Sequence, residues 1–273
     1  MLSEKNSEDP QNTNIKIKTL VFHKLLPKFS FGSTNFSPYR FEKLLIKLSK
    51  NGYSFASLDK ISSTNGQKEL LITFDDGYQH LQKYLPPLME KYNFRPLIFI
   101  PSYYIGKSNK WDYSHLFQNT PHLNKDEIKS LSELGVGFGS HGHYHRSLTK
   151  LSLSSLEEEL KKSKDIIENI IKKEVVSISY PFGHFNQQVM ENVKKAGYHY
   201  GFTMNFPTFN DEQLRIGRYA IYGYDTLFTI NQKLSHGFLY SLEKLKAQLT
   251  NKLSNGTLLY KRLTRHNEPD EKL

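Results

Sequence analysis

Apolar positions in this chain gather in short runs separated by longer amphipathic stretches. Leu70, Leu71, Ile72 and Phe74, with β-branched Thr73 among them, predict a strand buried on both faces, as in a parallel sheet. Runs at 15–22, 55–57, 96–100, 136–140 and 175–180 read the same way, with shorter strands at 200–203 and 218–221. Between them, Ser37 and Pro38 open a helix whose Phe41, Leu44, Leu45 and Leu48 recur at helical spacing until Gly52. Further helices are expected at 78–92, bent or restarted at Pro86 and Pro87, at 124–134, from Ser152 or Ser154 to about Lys173, at 186–196 and at 225–235. Such alternation predicts a parallel α/β sheet, open or closed into a barrel. Residues 1–14 read as a flexible head, 15–240 as the folded domain, and 241–273 as a basic amphipathic helix and tail.

Charge and composition narrow the function classes. The 273 residues carry a formal charge of +10, from 37 Lys and Arg against 27 Asp and Glu, which favours anionic surroundings. No Arg-rich block, zinc-finger spacing or aromatic RNA-binding signature is present, so nucleic acid is not expected as a partner. The absence of Cys excludes disulfides, thiolate metal ligands and a Cys nucleophile. Residues 1–14 lack the apolar core of a signal peptide, and no run is long enough to span a membrane. The expectation is a soluble cytoplasmic protein with peripheral contact to the anionic inner membrane.

Candidate chemistry sits at the strand ends. The run at 70–74 ends in Asp75 and Asp76, a like-charged pair that is costly unless a cation sits between them or their pKa values are driven apart. Gly77 then permits a sharp turn. The run at 136–140 enters His141-Gly142-His143-Tyr144-His145, and the first strand ends at His23. In a parallel sheet these C-terminal ends share one face. Two imidazoles and one carboxylate are a ligand set for a catalytic zinc, and His141 and His145, four residues apart, can face one centre while His143 is turned to the rim. Tyr103, Tyr104, Trp111 and Tyr144 are aromatic candidates for stacking on a sugar ring, against ordinary packing.

Thr73-Phe74-Asp75-Asp76-Gly77 followed by Ser140-His141-Gly142-His143-Tyr144-His145 resembles the first two motifs of the polysaccharide deacetylases, the NodB-homology domains of carbohydrate esterase family 4. Leu20-Val21-Phe22-His23, Tyr180-Pro181-Phe182-Gly183, and Ala196-Gly197-Tyr198 with Gly201-Phe202-Thr203 extend the likeness over about 20–221. The resemblance implies a deformed (β/α) barrel of about seven parallel strands, a divalent metal ion, most simply Zn, and hydrolytic removal of N-acetyl groups from an amino sugar in a polysaccharide or lipid-linked glycan. It implies Asp76, His141 and His145 as metal ligands, Asp75 as general base toward water, the backbone N–H at Phe182 as oxyanion donor, and a histidine as acid to the leaving amine.

That histidine is expected to be His23, as in a permuted subgroup resembling the poly-N-acetylglucosamine deacetylases, with His236 in Leu234-Ser235-His236 as runner-up. The family's third motif commonly begins with an Arg that pairs with the base, whereas Ser179 stands there in this chain. Arg218 is a candidate substitute, set against the simpler reading of a surface or structural Arg. Hydrolysis of another C–N amide bond, such as a formamide, and a catalytically silent carbohydrate-binding protein are the competing readings.

Overall fold

The computed structural model describes residues 17–27, 33–61, 68–108, 120–208 and 212–253. Eight parallel strands form one sheet whose path runs β7-β6-β5-β4-β3-β1-β8. These are β1 (Lys18–Phe22), β2 (Tyr53–Ala56), β3 (Lys68–Phe74), β4 (Leu97–Ile100), β5 (Gly137–Ser140), β6 (Ser177–Ser179), β7 (Tyr200–Phe202) and β8 (Tyr219–Ala220). β3 is the longest and organises the rest. One edge carries β1 from Leu70 to Phe74, while the other carries β2 beside its first half and β4 beside Thr73 and Phe74.

The sheet curls until its two ends share a segment. Ile216 bridges to Phe202 on β7, and four residues later Ala220 pairs with Val21 on β1. The result is the deformed barrel that the motifs imply. Side chains alternate across the strands. Leu71, Leu97, Phe99, Phe202 and Ile216 fill the barrel's interior in one cluster, whereas Leu70, Ile72, Phe74, Ile98 and Ile178 join the larger core under the helices.

The helices are α1 (Pro38–Lys50), α2 (Leu81–Tyr92), α3 (Lys125–Glu133), α4 (Leu153–Ile171), α5 (Gln187–Lys195), α6 (Leu227–Ser235) and α7 (Tyr240–Leu253). Ser37, Asn124, Ser152, Asn186 and Thr226 cap the N-termini of α1, α3, α4, α5 and α6 with side-chain acceptors. Two expectations shift. Helix α2 starts at Leu81 rather than Tyr78, because Tyr78 forms a bridge to His122. It also runs unbroken through Pro86 and Pro87: the buried stripe Leu81, Leu85 and Met89 continues across them, and the carbonyls they leave unpaired belong to exposed Gln82 and Lys83.

Helix α7 begins at Tyr240. This helix is seated on the rest of the fold through buried Glu243 and Ala247. Beneath it lies a buried ion pair, Lys233 Nζ to Asp225 Oδ2 at 2.7 Å, with Glu243 Oε2 at 3.9 Å from the same ammonium. Asp225, expected inside the helix, instead precedes its cap and accepts from the Tyr222 N–H at 2.8 Å.

Candidate active site

The C-terminal ends of β1, β3, β5, β6 and β8 open on one pocket, lined among others by His23, Asp75, Asp76, His141, His145 and Phe182. Its space of about 130 Å³ is close to the roughly 150 Å³ of a cavity that holds benzene. A small acyl-amide group therefore fits inside.

Local backbone geometry sends the two adjacent carboxylates to different partners. Asp75 continues the inward alternation of Leu71 and Thr73 and is 2% exposed. Asp76 then takes φ 71°, and Gly77 follows at φ 58°, which turns the chain over the strand end. Glycine suits position 77, because its positive φ strains a residue with a Cβ and a Cβ there would have to displace Ile100 Cδ1. Asp76 Oδ1 comes to lie 3.7 Å from His141 Nε2 and 3.6 Å from His145 Nε2.

The donor chemistry of this trio fits a divalent cation. His141 Nδ1 lies 2.8 Å from the Ser179 carbonyl oxygen, which can only accept, so Nδ1 carries the proton and Nε2 turns a lone pair toward the centre. His145 Nε2 is 3.2 Å from that nitrogen. The three ligand atoms lie within 4.8 Å of one another, and all three residues are buried. Two nitrogens and an oxygen, with room left on the pocket side, are a zinc-type donor set.

Asp75 is held by Arg218, which corrects the expectation of a plain structural or surface arginine at 218. The guanidinium is fully buried and grips both carboxylate oxygens, at 2.7 Å from Oδ1 and 2.8 Å from Oδ2. Its remaining donors reach Ser179 Oγ at 2.7 Å, Thr73 Oγ1 at 3.1 Å and the Thr203 carbonyl at 3.0 Å. Ser179 Oγ also donates to Asp75 Oδ2 at 3.2 Å, so the small residue at this point makes room for the arginine and adds a hydroxyl to the same network. Burial works to raise the Asp75 pKa, but Arg218 and the imidazoles of His141 and His23 outweigh it and hold the carboxyl well below the usual range. The like-charge problem of the Asp pair is thereby divided, with a permanent cation for Asp75 and the donor trio for Asp76.

His23 stands beside Asp75 on the neighbouring strand, one residue past the register pair Phe22 and Phe74. Its Nδ1 is buried with no hydrogen-bond partner. Burial lowers its pKa to about 4, against a smaller raising effect of Asp75. His236, the runner-up, lies elsewhere: it ends α6 at φ 51°, is exposed, bonds the Tyr219 hydroxyl at 2.9 Å and stacks on Tyr240. Phe182 adopts φ 60° and sets its ring 4.7 Å from that of His145.

His143 is buried rather than on the rim, its Nδ1 2.7 Å from Ser102 Oγ. Tyr104 is buried, whereas Tyr103 and Tyr144 are half-buried and pack on each other at 4.9 Å. Trp111 lies outside the described residues. The opposite wall of the pocket comes from residues that sequence reading missed: Tyr222 after β8, and Thr250 and Asn251 on α7. Tyr222 Oη bonds Asn251 Oδ1 at 2.5 Å, and Asn251 Nδ2 donates to the Met204 carbonyl at 3.2 Å. Nothing in their local sequence separates them from an ordinary polar helix end.

The Polysaccharide deacetylase family profile matches residues 62–201, just over half of the sequence. The chain belongs to the polysaccharide deacetylase family. Among its deacetylase relatives, YxkH of Bacillus subtilis (strain 168), named for the same family, is 27% identical over 213 residues, covering 76% of this chain and 70% of that protein. The poly-beta-1,6-N-acetyl-D-glucosamine N-deacetylase of Staphylococcus aureus (strain MRSA252) is 28% identical over 147 residues, so the match spans 50% of this chain and about half, 48%, of that enzyme. Among solved structures, the Streptococcus pyogenes deacetylase PplD superposes with a TM-score of 0.70 at 21% identity, over 81% of this chain and 99% of its own, which shows the shared fold.

Proposed function

We propose that this deacetylase hydrolyses the acetamide of an N-acetylated amino sugar in a glycan, with Asp76, His141 and His145 holding a divalent cation, most simply zinc. The observation that carries the reading is the meeting of two differently neutralised carboxylates in one small pocket: Asp75 clamped by Arg218, and Asp76 facing the Nε2 atoms of His141 and His145. A cation on those donors would supply Lewis acidity toward water and the amide carbonyl.

Asp75 receives the proton of the attacking water. Arg218 fixes its carboxylate and keeps it ionised, so it accepts that proton only as the new C–O bond forms. The backbone N–H at Phe182 is assigned to the developing oxyanion. His23, kept neutral at rest by burial, takes the proton on from Asp75 and delivers it to the departing nitrogen as the C–N bond breaks. Amide and water thereby become acetate and a free amine. The name of the staphylococcal relative supports N-acetylglucosamine polymers as the first substrates to assay.

His23→Ala is the direct test of the proton path. Turnover of N-acetylglucosamine oligomers should fall by about 10²–10⁴-fold while metal content stays at the wild-type level. Near-normal turnover would reject the role. Running N-formyl and N-acetyl oligomers side by side decides between the two acyl groups.

We also infer contact with an anionic membrane. Leu242, Leu245 and Leu249 are about half exposed along one side of α7, and Phe228 and Phe238, whose rings meet at 6.3 Å, are exposed as well. Between 226 and 251 the sole acidic residue, Glu243, is buried, whereas Lys244 is exposed. An apolar face edged by lysine and free of exposed acid complements anionic lipid headgroups.

A further inference from the structure

We propose that Glu159 is a positioning residue that preorganises the ligand loop 141–145 for its cation. The inference rests on the reading of His141 and His145 as ligands, and it concerns a buried carboxylate that plays no part in the chemistry above.

Helix α4 carries three successive glutamates, of which Glu157 and Glu158 are exposed and Glu159 is 3% exposed. No lysine or arginine forms a salt bridge to it among the described residues. Its Oε1 accepts the Tyr144 N–H at 2.7 Å, and the backbone N–H groups of His143 and Arg146 face the same carboxylate and favour its charged form against the desolvation that raises its pKa. The loop that bears His145 is thus tied by a short backbone hydrogen bond, from the residue just before the ligand, to a buried carboxylate on α4.

One helical turn further on, Ser163 holds the other end of the loop. Its Oγ donates to the Gly142 carbonyl at 3.0 Å and accepts from Ser140 Oγ at 2.8 Å, and that hydroxyl in turn accepts the Gly142 N–H at 3.0 Å. Glu159 and Ser163, four residues apart, present one face of α4 to the loop.

The loop needs such holding. Gly142 sits at φ 74°, and a Cβ there would come 3.2 Å from Glu159 Oε1. His145 sits at φ 53°, a left-handed conformation that costs a β-substituted residue free energy unless its surroundings impose it. That conformation brings the His145 ring back beside His141, with Nε2 atoms 3.2 Å apart. Without the carboxylate, His145 is free to relax to a more common backbone geometry, and the donor trio opens.

Metal-stripped wild type, Glu159→Gln, Glu159→Ala and Ser163→Ala are to be titrated with zinc against a competing chelator, with amide hydrogen exchange over 142–146 followed in the same metal-free samples. Zinc affinity should fall about 10–100-fold in E159A, less in E159Q, which keeps one carbonyl acceptor, and least in S163A. Exchange at Tyr144 should rise in the same order. If E159A does not fold, E159Q and S163A carry the comparison. The proposal is overturned if folded E159Q matches wild type in both readouts, or if the variants lose only thermal stability. A wild type that binds no zinc overturns the ligand assignment and the purpose of the clamp; loop exchange then separately decides whether Glu159 holds the backbone.

Discussion

At the residue scale, the pairing of Asp75 with Arg218 sets both activity and stability. Removing the guanidinium leaves a buried carboxylate without its cation, so Arg218→Met should destabilise the fold by about 3–5 kcal/mol in urea unfolding. The double variant with Asp75→Asn should recover part of that loss. A merely additive double variant would show that the pair is not coupled. The pH dependence has a definite sign. Because the folded Asp75 pKa lies below its unfolded value of about 3.9, the pair stabilises the fold above that pH and the stabilisation is lost as acid drives the carboxylate toward its lowered native pKa.

His80 has a pH dependence of its own, away from the pocket. Its Nε2 accepts the Leu25 N–H at 2.8 Å, which requires the unprotonated ring, and burial lowers its pKa to about 3. The unfolded chain takes up this proton near pH 6.5, so native stability should decline as pH falls from there toward 3. Thermal melts of a folded His80 variant should show a shallower decline across that window. An unchanged slope would mean that the imidazole is already charged in the native state.

At the scale of elements, strand ends were legible because apolar runs stop abruptly at Asp75, His141 and His23. The motif residues therefore came together as their positions on parallel strands required. Arg218 was legible only as one candidate partner of Asp75 beside a plain structural or surface reading, since 143 residues separate them and a lone arginine beside a two-residue strand carries no local signal to decide it. The same holds for α7, whose lysines and leucines read as a solvated amphipathic helix although Asn251 reaches the pocket wall. An Asn251→Ala variant should accordingly alter KM for oligomers more than stability, as steady-state kinetics beside thermal melts will show.

Strand β5 offers a sharper test of packing. A Cβ on Gly139 would lie 2.6 Å from both the Phe99 ring and Ser177 Oγ inside the barrel. Gly139→Ala should cost about 1–3 kcal/mol by overpacking and displace His141, two residues on. A variant with wild-type stability and zinc affinity would mean that the interior yields more readily than the geometry indicates.

At the scale of the whole molecule, a curled parallel sheet gathers residues from 23 to 251 around one small opening, with the exposed α6–α7 face beside it. No helix among the described residues is long and apolar enough to cross a membrane, and the proposed lipid contact is assigned to that face. Flotation with phosphatidylglycerol vesicles at low salt should carry the wild type, and Leu242→Gln with Leu245→Gln and Leu249→Gln should release it. Absence of the wild type from the floated fraction counts against the surface.

The central claim concerns cation-dependent hydrolysis, and one measurement addresses it most directly: acetate release from N-acetylglucosamine oligomers by wild type and Asp76→Ala after chelation and after zinc is returned. The account predicts that chelated wild type is inactive, that zinc restores it, and that Asp76→Ala stays inactive throughout. Turnover that survives chelation, or zinc-restored turnover in Asp76→Ala equal to wild type, would contradict it.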